Sequence, residues 1–97
     1  MSEQSSDPIV EQYRNQITDT DLAILEALNK RISLVQKLHD YKAQKGYEMT
    51  DVSREDWLTQ YLQRCNRGPL SQDELVELWK TIIETTKREA SRLRDAG

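Results

Sequence analysis

Apolar residues recur at helical spacing from about Pro8 onward: Ile9, Tyr13, Ile17, Ile24, Leu28, Val35 and Leu38 form one stripe, which Leu25 and Ile32 widen. No glycine or proline interrupts it before Gly46. Pro8 suits a first helical turn capped by Ser6 or Asp7, and Gly46 suits the position just past a last turn. The pattern predicts one helix of roughly 37 residues, about 55 Å long at 1.5 Å per residue. Thr50 or Asp51 can cap a second helix carrying Trp57, Leu58, Tyr61, Leu62 and Cys65, which Asn66-Arg67-Gly68-Pro69 stops. Ser71 and Glu74 form a capping box that opens a third helix through Leu75, Leu78, Trp79, Ile82, Ile83, Thr86, Ala90 and Leu93, expected to fray near Arg94. The chain therefore reads as all-α: long, medium and long helices in a bundle, with residues 1–7 as a flexible N-terminus and 8–97 as the helical domain.

Size sharpens this picture. A compact chain of about 100 residues has a radius of gyration near 13 Å, so a helix of about 55 Å must leave its own globule and meet another surface. The simplest partner is the same helix of a second copy across a two-fold axis, giving an intertwined homodimer.

Composition removes several function classes. A net charge of -3 offers no general basic field for nucleic acid or an anionic membrane, so any anion site must be local. Cys65 is the single cysteine, and no Cys/His cluster has zinc spacing, so neither a disulfide framework nor a metal site is expected. The polar start of the chain and the lack of a long apolar run lead us to expect a soluble, cytoplasmic protein.

Some charges break the first helix's apolar face. Steps of three or four from Val10 pass through Arg14, Asp21, Arg31 and Lys42 as well as Ile17, Ile24, Leu28, Val35 and Leu38. A charge removed from water without a partner costs several kcal/mol, so these residues are interface cations paired with acids or cations that answer an anionic ligand. Three cations on one face, with no matching row of acids, favour a small dianion. Arg31 and Lys42 lie about 16 Å apart along a helix and can reach one ligand, whereas Arg14 lies about 42 Å from Lys42. An antiparallel dimer would bring Arg14 of one chain beside Arg31 and Lys42 of the other. Asp51, Arg54 and Glu55 open the second helix, where Arg54 opposes the helix dipole and asks for a nearby anion.

These residues together resemble a known family. Y-R-N-Q-I-T-D-T-D-L-A-I-L-E-A-L-N-K-R, then K-x-x-x-Y-K, then D-V-S-R-E, is similar to the all-helical chorismate mutases over most of the chain. Arg14, Arg31 and Lys42 fall at the family's spacing, and Asp51, Arg54 and Glu55 match its D-x-x-R-E element. The resemblance implies a homodimer with composite sites that rearranges chorismate to prephenate in phenylalanine and tyrosine biosynthesis, using no cofactor and no metal. It implies that Arg14 of the partner chain and Arg31 hold the substrate carboxylates, and that Arg54 adds charge beside them. Lys42 would donate to the ether oxygen, while Glu55, with Asp51 near the loop, would accept from the ring hydroxyl. In the third helix Thr86 matches the family's Ser or Thr. The Gln or Glu one turn later falls on Ala90, with Glu89 adjacent.

The resemblance leaves two other functions to weigh. One is an isochorismate pyruvate lyase of the same fold, which Asp51 and Glu55 disfavour. The other is a weakly active mutase-like subunit that binds a larger shikimate-pathway enzyme. The remaining conspicuous residues read more quietly: His39 as a surface or interface histidine, Trp57, Tyr61 and Trp79 as core, and Cys65 as a small buried hydrophobe.

Overall fold

A computed structural model describes residues 6–97. The described residues form three helices and no strand: α1 (Pro8–Lys45), α2 (Val52–Cys65) and α3 (Gln72–Ala96). Of the expected flexible N-terminus, residues 1–5 lie outside the described residues. Asp7 caps α1, its carboxylate accepting from the Ile9 N–H at 2.9 Å and its carbonyl from the Glu11 N–H at 3.0 Å.

The end of α1 follows from Gly46. Its φ of +73° is left-handed backbone, which glycine adopts without the Cβ penalty. The Tyr47 N–H then reaches back to the Lys42 carbonyl at 2.9 Å, and the Gly46 N–H to that of Ala43 at 3.3 Å. This paired closure is a Schellman motif, and it satisfies carbonyls that the helix end would otherwise leave open. Asp51 caps α2, its carboxylate accepting from the Arg54 N–H at 3.0 Å. Asn66 ends that helix: its amide donates to the Leu70 carbonyl and the Gln72 side chain, and its oxygen accepts from the Gly68 N–H. Ser71 caps α3 through the Glu74 N–H at 3.2 Å. The third helix continues past Arg94 to Ala96, so the expected fraying at Arg94 is not observed; the Gly97 N–H still bonds the Leu93 carbonyl at 3.2 Å.

The chain divides into two units, residues 1–30 and 31–97. The described part of the first is the N-terminal stretch of α1, and none of its residues is buried; Ile9, Tyr13, Ile17, Leu22, Ile24 and Leu25 are all more than half exposed. The second unit contains the remainder of α1 with α2 and α3, and α2 packs against α3. Its core runs along α3 through Leu75, Ile83, Thr86 and Ala90, spaced so that they share one face, with His39 of α1 also buried.

Four side chains differ from expectation. On α2 the better covered positions are Glu55, Leu58, Thr59, Leu62 and Gln63, which follow one helical stripe. Trp57, Tyr61 and Cys65 belong to another stripe and are exposed, since the apolar residues of this helix occupy two faces and α3 covers one. Trp57 and Tyr61 instead stack on each other at 5.0 Å. His39, expected at a surface or interface, is 8% exposed. Trp79 is half-buried.

Candidate active site

The C-terminal half of α1, the loop after it, the start of α2 and the middle of α3 border an open cavity of about 110 Å³. Each element contributes through its own periodicity. On α1, Arg31, Val35, Leu38, His39 and Lys42 recur at three- and four-residue steps and so face the same way. The loop adds Met49, Thr50 and Asp51, α2 adds Arg54 and Glu55 from its first turn, and α3 adds Ile83 and Lys87. Four cationic side chains therefore meet two carboxylates around one small space, an excess of positive charge that suits a doubly negative ligand.

Arg31 is held from below. Its guanidinium donates to the Thr86 hydroxyl, and that hydroxyl donates in turn to the Ile82 carbonyl at 2.8 Å. Thr86 is fully buried and does not line the cavity, so its visible task is to orient Arg31. Burial pushes the Arg31 guanidinium below its ordinary value, and the charge of Glu55 opposes that push.

Lys42 sits in the Schellman turn, where its carbonyl takes the closing bond while its ammonium makes a long contact of 3.4 Å with the Met49 carbonyl. Lys42 also lines the cavity, and one long contact leaves the ammonium with donor capacity to spare. Asp51 serves as the α2 cap, which ties the acid to the backbone of Arg54. The Arg54 guanidinium lies over the Trp57 ring, 4.2 Å from its centroid, so the exposed aromatic pair gives this cation a platform. Glu55 pairs with Lys87 of α3, Oε1 to Nζ 3.2 Å.

His39 closes one wall. Burial first, then the charges of Lys42, Arg94 and Lys87, push its imidazole below the ordinary value, with Asp40 opposing. Among so many cations the neutral ring is the favoured form.

Of the residues expected from sequence, Arg31, Lys42, Asp51, Arg54 and Glu55 thus line one cavity, Thr86 supports it, and Arg14 lies exposed on the first unit's stretch of α1. Ala90 is buried in the α3 core, and Glu89 pairs with Arg92 at 2.7 Å, which holds its carboxyl below the usual carboxylate value. Neither lines the cavity. Lys87 and His39 do, and sequence reasoning missed both. The signal for Lys87 was weak: it follows Ile83 by one turn, but the charges around it on α3 keep one more cation from standing out.

A larger groove of about 370 Å³ between α2 and α3 is lined by Glu55, Asp56 and Glu84 against the lone cation Lys80. Its acidic balance does not suit an anionic ligand. Among the described residues no group of His, Cys, Asp and Glu is placed to hold a metal, and no helix is long and apolar enough to cross a membrane.

The family model described as chorismate mutase type II matches residues 13–91. The chain belongs to the chorismate mutase type II family. The matched range contains every residue that lines the cavity, together with Arg14, Thr86 and Ala90. The match covers all three helices rather than a local motif, and the family is one of isomerases. Searches of curated proteins and of solved structures returned no match.

Proposed function

We propose that this protein is a chorismate mutase that converts chorismate to prephenate and acts as a homodimer with composite sites. The observation that carries this reading is the cavity in which Arg31, Lys42, Arg54 and Lys87 oppose only Asp51 and Glu55. Chorismate carries two carboxylates on a small ring. Its rearrangement breaks the carbon–oxygen bond to the ring as a carbon–carbon bond forms from the enolpyruvyl methylene. No proton is abstracted and no covalent intermediate arises.

Such an enzyme has two tasks: to hold the flexible arm over the ring, and to stabilise the negative charge growing on the ether oxygen. Arg31, fixed by Thr86, and Arg54, fixed by Trp57, are preorganised for carboxylates, and Arg14 of the partner subunit completes the clamp. Lys42 donates to the ether oxygen and Glu55 accepts from the ring hydroxyl. Only the Lys42 contact strengthens as the bond breaks, so Lys42 carries most of the rate.

Two observations support a second subunit. Pockets that enclose a small ligand usually measure about 300–1,000 Å³, and the cavity of about 110 Å³ is well below that, as expected of a site lacking one wall. The first unit's stretch of α1 also exposes Ile9, Tyr13, Ile17, Ile24 and Leu25, an apolar stripe that another helix would cover.

The test is direct. Purified protein is incubated with chorismate and with isochorismate, and its mass in solution is measured alongside. Prephenate from chorismate supports the reading; salicylate and pyruvate from isochorismate would assign a lyase instead. A second reading is a mutase of low intrinsic activity that a larger shikimate-pathway enzyme raises. It is favoured by buried Ala90 and the outward pairing of Glu89 with Arg92, which leave Lys42 without a second donor at the ether oxygen. A steep gain in rate when such an enzyme is added would select it.

A further inference from the structure

Lys87 is the cavity cation with no counterpart among the residues that the sequence singled out. Its ammonium lies 3.2 Å from Glu55 on α2 and 3.6 Å from Glu84 on its own helix. The two acids differ in setting. Glu84 is 59% exposed, whereas Glu55 and Lys87 are 28% and 25% exposed, so the pair across the helices is the less screened one.

Glu55 poses a difficulty that Lys87 answers. A carboxylate is a good acceptor for a ring hydroxyl, yet its charge repels the two carboxylates of the same ligand at close range. In so small a space the acid and the ligand's carboxylates would lie close together. A cation paired with the acid offsets most of the repulsion and leaves one carboxylate oxygen open as an acceptor, since the Lys87 contact is to Oε1.

We propose that Lys87 is a positioning residue that holds Glu55 in place and offsets its charge, so that an acid can sit beside a dianionic substrate. The proposal rests on the mutase reading above and adds to it a residue that acts through Glu55 rather than on the substrate. Glu84 tethers the ammonium from the solvent side, keeping it against α3.

The experiment is a double-mutant cycle with chorismate, read as kcat and KM and as Kd by calorimetry. Lys87→Met is expected to raise KM and Kd by roughly tenfold while kcat changes by less than about threefold, because the loss falls on ground-state binding. Lys87→Arg is expected to restore both to within about twofold of wild type. In a Glu55→Gln background the same Lys87→Met change is expected to have little further effect on KM, since no charge remains to be offset. Lys80→Met, an equal loss of charge at an exposed position, is expected to match wild type. An undiminished loss in the Glu55→Gln background would assign Lys87 to the substrate directly and overturn the positioning role, as would an unchanged KM in Lys87→Met. Should Lys87→Met fail to fold, Lys87→Arg and the double variant carry the comparison: no rescue, or a double variant weaker than Glu55→Gln, overturns the proposal. A wild-type protein that neither binds nor converts chorismate overturns the mutase reading and this proposal with it, whereas an active wild type with indifferent Lys87 variants overturns the proposal alone.

Discussion

In the proposed mechanism single residues decide the chemistry, and Lys42 decides most of it. If Lys42 is the donor to the ether oxygen and Arg31 and Arg54 bind the carboxylates, as proposed, Lys42→Ala should raise the barrier to turnover by about 3–4 kcal/mol with a much smaller change in KM. Steady-state kinetics on chorismate measures both, and an unchanged kcat would remove Lys42 from the reaction. His39 reports on the same wall through stability. Its imidazole is 8% exposed and held below the ordinary value of 6.5 by burial and by Lys42, Arg94 and Lys87. A base depressed in the folded state binds fewer protons there than in the unfolded chain. The native state therefore loses stability as pH falls through about 6.5, and keeps it above that value. Melting at about pH 7.5 and about pH 5.5 should show a drop in Tm that His39→Gln lacks, whereas equal drops in both proteins would show that His39 is not the responsible group.

At the scale of the element, helix ends place the site as much as helix faces do. The Asp51 cap fixes the first turn of α2, and that turn carries Arg54 and Glu55 into the cavity. Asp51→Ala should cost about 1 kcal/mol of stability and raise KM, because both neighbours lose their anchor. Asp51→Asn keeps the capping oxygen and should retain stability, and chemical denaturation of the two variants separates the cases. Much of this was legible beforehand, for a physical reason: Gly46, Asp51 and the Ser71 to Glu74 box are local signals, each acting within a few residues of its own backbone. The faces of α2 were less legible. Trp57 and Tyr61 recur at helical spacing just as Leu58 and Leu62 do, and only the position of α3 decides which stripe is covered. Lys87 was hidden differently. Flanked by Glu84 and Arg88, it reads as one more charge on a solvated face, and its partner Glu55 lies 32 residues away. Arg31 and Lys42 were found because they break a long apolar stripe, a contrast that the shorter and more charged α3 does not offer.

For the whole molecule, the proposed activity depends on two chains sharing a site. Among the described residues only Leu75, Ile83 and Ala90 are buried hydrophobics, while Ile9, Tyr13, Ile17, Ile24 and Leu25 stand exposed. A protein of this size seldom leaves such a stripe in water unless another surface covers it. The length of the first helix made this expectation available from sequence, but the identity of the covering surface is a property of an assembly and has no local signature. The most direct measurement mixes two inactive proteins, Arg14→Ala and Arg31→Ala, after subunit exchange confirmed by mass. Random pairing makes half the dimers mixed, and each mixed dimer has one site with both arginines intact, so chorismate turnover should return to about one quarter of the wild-type value. Turnover that stays at the level of the separate variants after confirmed exchange would contradict the shared site.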